Sequence, residues 1–150
     1  MLDESVDYAI AAQAFHWFNP QQAQSEFIRI LKPGGWLVLL WNSRRLESTQ
    51  FLRDYEALLQ RYGTDYKEIR HNTTTDHLLS LELPNRPFEH RSFYNEQLFD
   101  FEALTGRLLS SSYVPTANDA NFKQMLEALK EIFDRENRAG YVRLEYDTKG

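Results

Sequence analysis

The sequence predicts an α/β fold, and three observations carry that expectation. Val6 to Ala12 and Trp36 to Trp41 are short, nearly continuous apolar runs, the mark of strands covered on both faces. Between them lies a stretch whose apolar residues, Ala23, Phe27, Ile30 and Leu31, recur at helical spacing. The helix between them also carries its own punctuation at both ends. Strand, helix and strand so close together make a βαβ unit, whose strands run parallel with a right-handed crossover.

Each element has a local reason. Asn19-Pro20 starts the first helix, with Asn as its cap and Pro where a missing N–H costs nothing. Lys32-Pro33-Gly34-Gly35 ends it, because Pro cannot continue a helix and Gly accepts left-handed geometry. A second helix is expected over Glu47 to Tyr62, with Phe51, Tyr55, Leu58, Leu59 and Tyr62 on one face and Gly63 as its stop. Residues 64–87 are mostly polar and read as a short helix and loops. Phe88 to Tyr94 reads as a strand with poor alternation. Asp100 can cap a helix carrying Phe101, Leu104 and Leu108. Asn118 or Asp119 opens a long helix with Phe122, Met125, Leu126, Leu129, Ile132 and Phe133 as its stripe. Gly140 closes it, and Tyr141 to Tyr146 alternates as a last strand.

At 150 residues the chain is long enough for one domain, residues 1–150, with its own core. Hydrophobic residues at 42% and aromatics at 14% fit a globular chain with rings to spare for a core or a pocket. A net charge of −5 without a basic block argues against nucleic acid as a partner. The absence of cysteine excludes a disulfide scaffold and thiolate metal sites. No apolar run approaches a membrane span and no signal peptide is evident, so a cytoplasmic setting is expected.

Particular motifs connect these elements. Asp3-Glu4-Ser5-Val6-Asp7 leads into the first strand, and Phe15-His16-Trp17-Phe18 follows it. Leu31-Lys32-Pro33-Gly34-Gly35 precedes the second, while Ser112-Tyr113 and Arg143-Leu144-Glu145-Tyr146-Asp147-Thr148 come near the end. In this order and spacing the chain resembles the C-terminal half of a class I S-adenosylmethionine-dependent methyltransferase. It looks closest to small-molecule enzymes of the trans-aconitate or ubiquinone/menaquinone-biosynthesis type. The resemblance implies a partial Rossmann-like sheet, the family's strands four to seven, with flanking helices and the last strand antiparallel. It also implies S-adenosylmethionine as cofactor and a small-molecule methyl acceptor. Ligands in such open sheets bind beyond the carboxyl ends of the strands.

By the same resemblance, Ala12, Gln13 and Ala14 pass beneath the methionine part of the cofactor. His16 and Trp17 lie near the methyl-transfer space, and His16 is the candidate for a catalytic role. Trp41, Asn42 and Tyr113 face the acceptor pocket. Each residue also has an ordinary reading. His16 can cap or pack in an aromatic turn, Phe15 and Phe18 can be core, and Trp36 reads as core. Arg44-Arg45 can attract an anion or simply form a solvated loop. His71, Asp76 and His77 fit no familiar metal-ligand spacing, so no metal is expected.

No Gly-x-Gly occurs, and Gly34-Gly35 ends a helix and precedes a strand, the reverse of a phosphate loop. The family's glycine-rich loop, ribose-binding acid and adenine contact therefore have no counterpart in the sequence. Two functions follow as expectations. One is a methyltransferase whose remaining strands come from a longer chain, a complementing N-terminal half or a homodimer. The other is a non-catalytic half-domain acting as an interaction or dimerisation module. In the second, the free edge of the Val6 to Ala12 strand offers no lysine or proline against pairing, and is expected to be covered by a second copy in a homodimer or by rearranged local segments.

Overall fold

The computed structural model describes residues 1–64, 66 and 89–150. The first apolar run is strand β1, Val6–Ala12. A 3-10 turn, Phe15–Trp17, follows it, and helix α1 spans Pro20–Ile30. Asn19 caps α1 as expected, its side-chain oxygen accepting from the Gln22 N–H at 3.1 Å. Strand β2, Leu31–Arg44, begins as soon as α1 ends. It is longer than the expected Trp36 to Trp41, and its first pairing explains why. Val6 pairs with Leu31, but the next pair is Tyr8 with Trp36, so Lys32 to Gly35 loop out within the strand. Gly34 takes φ +82° there. A Cβ on Gly35 would lie 3.0 Å from the carbonyl oxygens of Asp7 and Lys32. From Tyr8–Trp36 onward the pairing is parallel and unbroken to Ala12–Leu40, as a βαβ unit requires.

Among the described residues the remaining elements are helix α2, Gln50–Tyr62, strand β3, Ser92–Phe99, helix α3, Phe101–Leu109, helix α4, Phe122–Glu136, and strand β4, Val142–Lys149. The strands form one four-stranded sheet in the order β1-β2-β4-β3. β4 is antiparallel to β2. The Thr148 hydroxyl donates to Asn42, and the Arg45 N–H donates to the Glu145 carbonyl, so the partners step in opposite directions along the two strands. β3 is antiparallel to β4 as well, since Arg91 and Gly150 exchange both backbone hydrogen bonds.

Several boundaries differ from expectation. α2 starts at Gln50 rather than Glu47, because Thr49 is the residue whose hydroxyl accepts from the Leu52 N–H, at 3.1 Å. The expected strand at Phe88 to Tyr94 is displaced to Ser92–Phe99, and Phe88 lies outside the described residues. Neither Asn118 nor Asp119 opens α4. Asp119 instead folds back on Thr116, accepting from its N–H at 2.7 Å and its hydroxyl at 2.8 Å, and Asn121 precedes the helix. These bonds hold the Asp119 carboxyl below its usual range. At the other end α4 stops before Gly140, which takes φ +84° in the turn between Arg138 and Tyr141. Asp100 does cap α3, accepting from the Ala103 N–H at 2.8 Å.

The chain divides into two compact units. The first contains residues 1–43, 89–93 and 147–150 among those described. Its buried apolar residues are few: Ala11, Phe15, Ile30 and Leu31. The expectation that β1 is covered on both faces is not met. Tyr8 and Ile10, which share one face of β1, are 64% and 65% exposed. Trp36, expected in the core, pairs with Tyr8 on that same open strand and is 42% exposed.

The second unit contains residues 44–64, 66 and 94–146. It holds a continuous core: Phe51, Leu52, Leu58 and Leu59 of α2, Leu104 and Leu108 of α3, and Met125, Leu129 and Phe133 of α4. Val142, Leu144 and Tyr146 of β4 complete it. The alternation expected of the last strand is what delivers those three side chains to one face.

A buried polar cluster sits at the margin of this core. Arg44, read as drawing an anion or as part of a solvated loop, is instead the last residue of β2 and is turned into the protein. Its guanidinium reaches Glu56 at 2.6 Å and the Tyr66 hydroxyl at 3.0 Å, and lies 5.1 Å from the centre of the Tyr55 ring. Tyr66 and Gln60 also donate to Glu56, at 2.5 and 3.0 Å. Burial alone would push the Glu56 carboxyl up, but the bonds from Tyr66, Gln60 and Arg44 outweigh it and hold it below its usual range.

Two outcomes follow for stability. The folded-state position of Glu56 means that its ion pair stabilises the protein above the ordinary carboxylate range and ceases to as pH falls through that position. Glu56→Gln leaves Arg44 buried without its counter-charge and should cost about 3–5 kcal/mol in urea unfolding, whereas Glu56→Leu with Arg44→Met should lose far less. At the alkaline end, burial pushes the Tyr55 hydroxyl from 10.0 up to about 12. Stability should be intact below pH 10 and fall between pH 10 and about 12, as the unfolded chain ionises first. Tyr55→Phe should flatten the fall in that window in thermal melts, and an unchanged slope would remove Tyr55 from the explanation.

Candidate functional site

The carboxyl ends of the parallel pair β1 and β2 carry most of the residues expected to bind ligand. Ala12 is the last residue of β1 and is exposed. Gln13 then leaves the strand with φ +52°, a left-handed geometry that a residue with a Cβ adopts at a cost. Two bonds hold it there. Its N–H donates to the Leu40 carbonyl at 2.9 Å, and its side-chain amide reaches the Asn42 carbonyl at 3.4 Å. Asn42 is itself fixed, since its side-chain oxygen accepts from the Thr148 hydroxyl at 2.6 Å.

The turn after Gln13 is short and aromatic. The Trp17 N–H donates to Ala14 O and the Phe18 N–H to Phe15 O, both at 3.0 Å. Phe15 is buried and anchors the turn, with the Phe18 ring 5.8 Å away edge-on. His16 and Trp17 project instead. Their rings lie 4.9 Å apart and tilted, both are exposed, and Trp17 is 81% exposed. An indole this open contributes little to folding and is available to a ligand.

The structure therefore brings Ala12, Gln13, Ala14, His16 and Trp17 into one continuous turn, with Gln13 joined to Asn42. Trp41 neighbours Asn42 on β2 and is partly buried. Tyr113 belongs to the second unit, where its ring lies 5.1 Å from Tyr66 and its carbonyl accepts from the Thr64 N–H at 3.0 Å. A shallow depression on α1, lined by Gln21, Gln22, Ser25, Glu26 and Arg29, includes none of the expected site residues. The left-handed turn at Gln13 was not expected from sequence, because the residue is not glycine and no local motif marks it. Arg44 was missed for a related reason, since only the distant Glu56 and Tyr66 explain its burial.

Among the described residues no cluster of three His, Asp or Glu side chains could hold a metal ion. His71, Asp76 and His77 lie outside the described residues. No helix among those described is long and apolar enough to cross a membrane.

Gln13→Gly should relieve the left-handed strain and, by analogy with similar sites, shift stability by no more than about 1 kcal/mol despite the lost bond to Asn42. Gln13→Val should cost more than that, because a β-branched side chain resists positive φ. Chemical denaturation of the two variants reads the difference, and equal stabilities would mean the turn is not held as described.

Known proteins can be set beside this geometry. A family model described as a methyltransferase domain matches residues 1–39. An uncharacterized methyltransferase-like protein of Schizosaccharomyces pombe is 43% identical over 63 residues, covering 42% of this chain and 24% of its own length. An uncharacterized methyltransferase of Mycobacterium tuberculosis is 39% identical over 66 residues, covering 44% of this chain and 27% of its own. The chain thus spans about a quarter of the length of the curated relatives it matches. A solved structure from Anaeromyxobacter dehalogenans, a candidate type II methyltransferase, superposes on 100% of this chain and 66% of its own with a TM-score of 0.67 at 19% identity. The fold of the chain is accordingly the Rossmann-like α/β fold of that structure, and its first 39 residues are similar to a methyltransferase domain.

Proposed function

We propose that this chain takes part in S-adenosylmethionine-dependent methyl transfer to a small-molecule acceptor. The observation that carries the reading is the exposed aromatic turn at the carboxyl end of β1. It lies within the residues similar to a methyltransferase domain, and it follows a strained, doubly held Gln13. Strain kept at a strand end where ligands of open sheets bind is characteristic of functional positions. The same likeness favours methyl transfer over a purely non-catalytic module.

The residues present suit one end of the cofactor. A sulfonium is a cation, and the open face of Trp17 is a surface that attracts one. The backbone of Ala12, Gln13 and Ala14 would run beneath the methionine portion. Among the described residues no glycine-rich strand-to-helix turn is available for the adenosine end. When bound, the cofactor supplies an activated methyl group. The chain's own residues would hold and orient, since in-line transfer depends mainly on proximity. Trp41 and Asn42 are assigned to the acceptor, the role the resemblance also gives Tyr113. His16, exposed beside Trp17, is the group that could take a proton where the acceptor must lose one. Acceptors of the trans-aconitate or ubiquinone/menaquinone-biosynthesis type are the class assigned, with a homodimer as the assembly and the cytoplasm as the setting.

Calorimetric titration with S-adenosylmethionine and with S-adenosylhomocysteine tests the reading. Both should bind in the micromolar range. Trp17→Ala should weaken the cationic ligand about tenfold and the neutral thioether much less, the difference being the ring's attraction for the sulfonium. Absence of binding by either ligand at millimolar concentration would refute the proposal for this chain.

A further inference from the structure

We propose that Thr148 is a positioning residue for the methyl acceptor. Its hydroxyl holds the oxygen end of the Asn42 amide, so that Asn42 presents its N–H groups and meets a carboxylate or carbonyl oxygen of the acceptor. This rests on the acceptor role of Asn42 in the proposed methyl transfer and adds to it a direction of hydrogen bonding.

The two residues meet across the sheet. Asn42 lies near the end of β2 and Thr148 near the end of β4, its neighbour in the strand order. They are 106 residues apart in sequence, so only strand pairing sets one side chain opposite the other. The register agrees, since the Arg45 N–H donates to the Glu145 carbonyl, and stepping back along β2 to Asn42 steps forward along β4 to Thr148. Threonine is β-branched and stiff about its first side-chain bond, so its hydroxyl keeps its direction. Thr148, Asn42 and Gln13, whose amide reaches the Asn42 carbonyl, all belong to the first unit.

A side-chain amide has a donor end and an acceptor end, and a hydroxyl can serve either. The distance decides between them. Thr148 Oγ1 lies 2.6 Å from Asn42 Oδ1, an ordinary length for a hydroxyl donating to oxygen but shorter than the roughly 2.7–3.2 Å of an N–H donating to one. The oxygen therefore faces Thr148, and the nitrogen faces away from it. Asn42 is exposed beside Trp41 at the carboxyl end of β2, where ligands of open sheets bind. What it offers a ligand there is a pair of N–H donors. A carboxylate or carbonyl oxygen accepts such a bond, whereas an ammonium, which has only donors, does not. Without the Thr148 hydroxyl the amide is free to turn over about its terminal torsion, which has two nearly equivalent settings. Turned over, it presents oxygen to oxygen and works against the same ligand.

NMR of the isotope-labelled 150-residue chain, with and without S-adenosylhomocysteine, follows the side-chain amide of Asn42. In the wild type that amide should be as ordered as the β2 backbone. Thr148→Val keeps the side chain's shape but should release the amide to the mobility of a surface asparagine, while Thr148→Ser should keep it ordered. Titration with trans-aconitate as the carboxylate probe, and with a short-chain ubiquinone as the carbonyl probe, should move the Asn42 N–H resonances downfield in one arm, which identifies the kind of oxygen bound. Thr148→Val should weaken that probe about tenfold, the worth of one hydrogen bond, and Thr148→Ser by less than about threefold. Asn42→Asp keeps an oxygen for Thr148 and replaces only the nitrogen, so it should abolish binding with an unchanged circular dichroism spectrum. An amide equally ordered in the wild type and Thr148→Val overturns the proposal. So does a probe that Asn42→Asp binds as well as the wild type, or no shift of Asn42 with either probe. If the amide and the probes behave as expected while S-adenosylhomocysteine fails to bind, methyl transfer falls and the positioning role stands. Cofactor binding with an amide indifferent to Thr148 gives the reverse.

Discussion

The register between β1 and β2 is the constraint on which the first unit depends, and two glycines set it. Val6 meets Leu31, and the chain must then release four residues before Tyr8 can meet Trp36. Gly34 supplies the left-handed turn of that loop, and Gly35 passes so close to Asp7 and Lys32 that a Cβ would crowd their backbone oxygens at 3.0 Å. Because side chains alternate along a strand, a shift of one residue would turn every apolar side chain of β1 to the opposite face. It would also carry Gln13 away from Leu40 and Asn42. The geometry at the carboxyl end of β1 is thus fixed by a turn at its amino end.

The two units bury their apolar surface very differently. The second has three helices and β4 contributing to one core, with Leu52, Leu104, Leu108, Met125 and Leu129 fully buried. It can also accommodate a buried ion pair, because Tyr66 bonds to both Arg44 and Glu56 and Gln60 donates to Glu56, so the pair does not rely on charge attraction alone. The first has only Ala11, Phe15, Ile30 and Leu31 buried among its described residues, while Tyr8, Ile10, Trp17 and Trp36 remain open. Burial near 25 cal/mol per Å² cannot be extracted from surface that stays in water. The first unit's exposed apolar side chains are therefore unspent association energy, which is the physical basis for a ligand at Trp17.

How much of this could be read from sequence depends on how local the cause is. Asn19 with Pro20, Asp100 and Gly63 all mark helix ends correctly, because a cap is a contact within one turn. The parallel pair and the alternation of Val142, Leu144 and Tyr146 were equally legible, since periodicity reports the face on which a residue will lie. Legibility ended where distant residues decide. Asp119 could as well have capped α4 as a turn, and its preference for Thr116 is a competition between two local solutions. Arg44 gives no sign in sequence that Glu56 will neutralise it. The apolar content of β1 was read as double coverage, but composition reports what a strand would gain from burial, not whether both its faces are covered.

The same distinction applies to the candidate site. Phe15-His16-Trp17-Phe18 could be recognised as a cluster, yet four aromatic residues in succession cannot reveal which of them face outward. The 3-10 geometry makes the division, turning Phe15 into the interior and leaving His16 and Trp17 in solvent. That turn follows directly on Gln13, whose positive φ redirects the chain at the end of β1. A glycine would reach the same backbone geometry without strain, but it would lack the amide that reaches the Asn42 carbonyl. The side chain at position 13 thus does two things: it strains the backbone and ties the turn to β2. A residue that carries both a conformational cost and a specific bond fits a place where the exact position of the following residues matters. Those residues are His16 and Trp17.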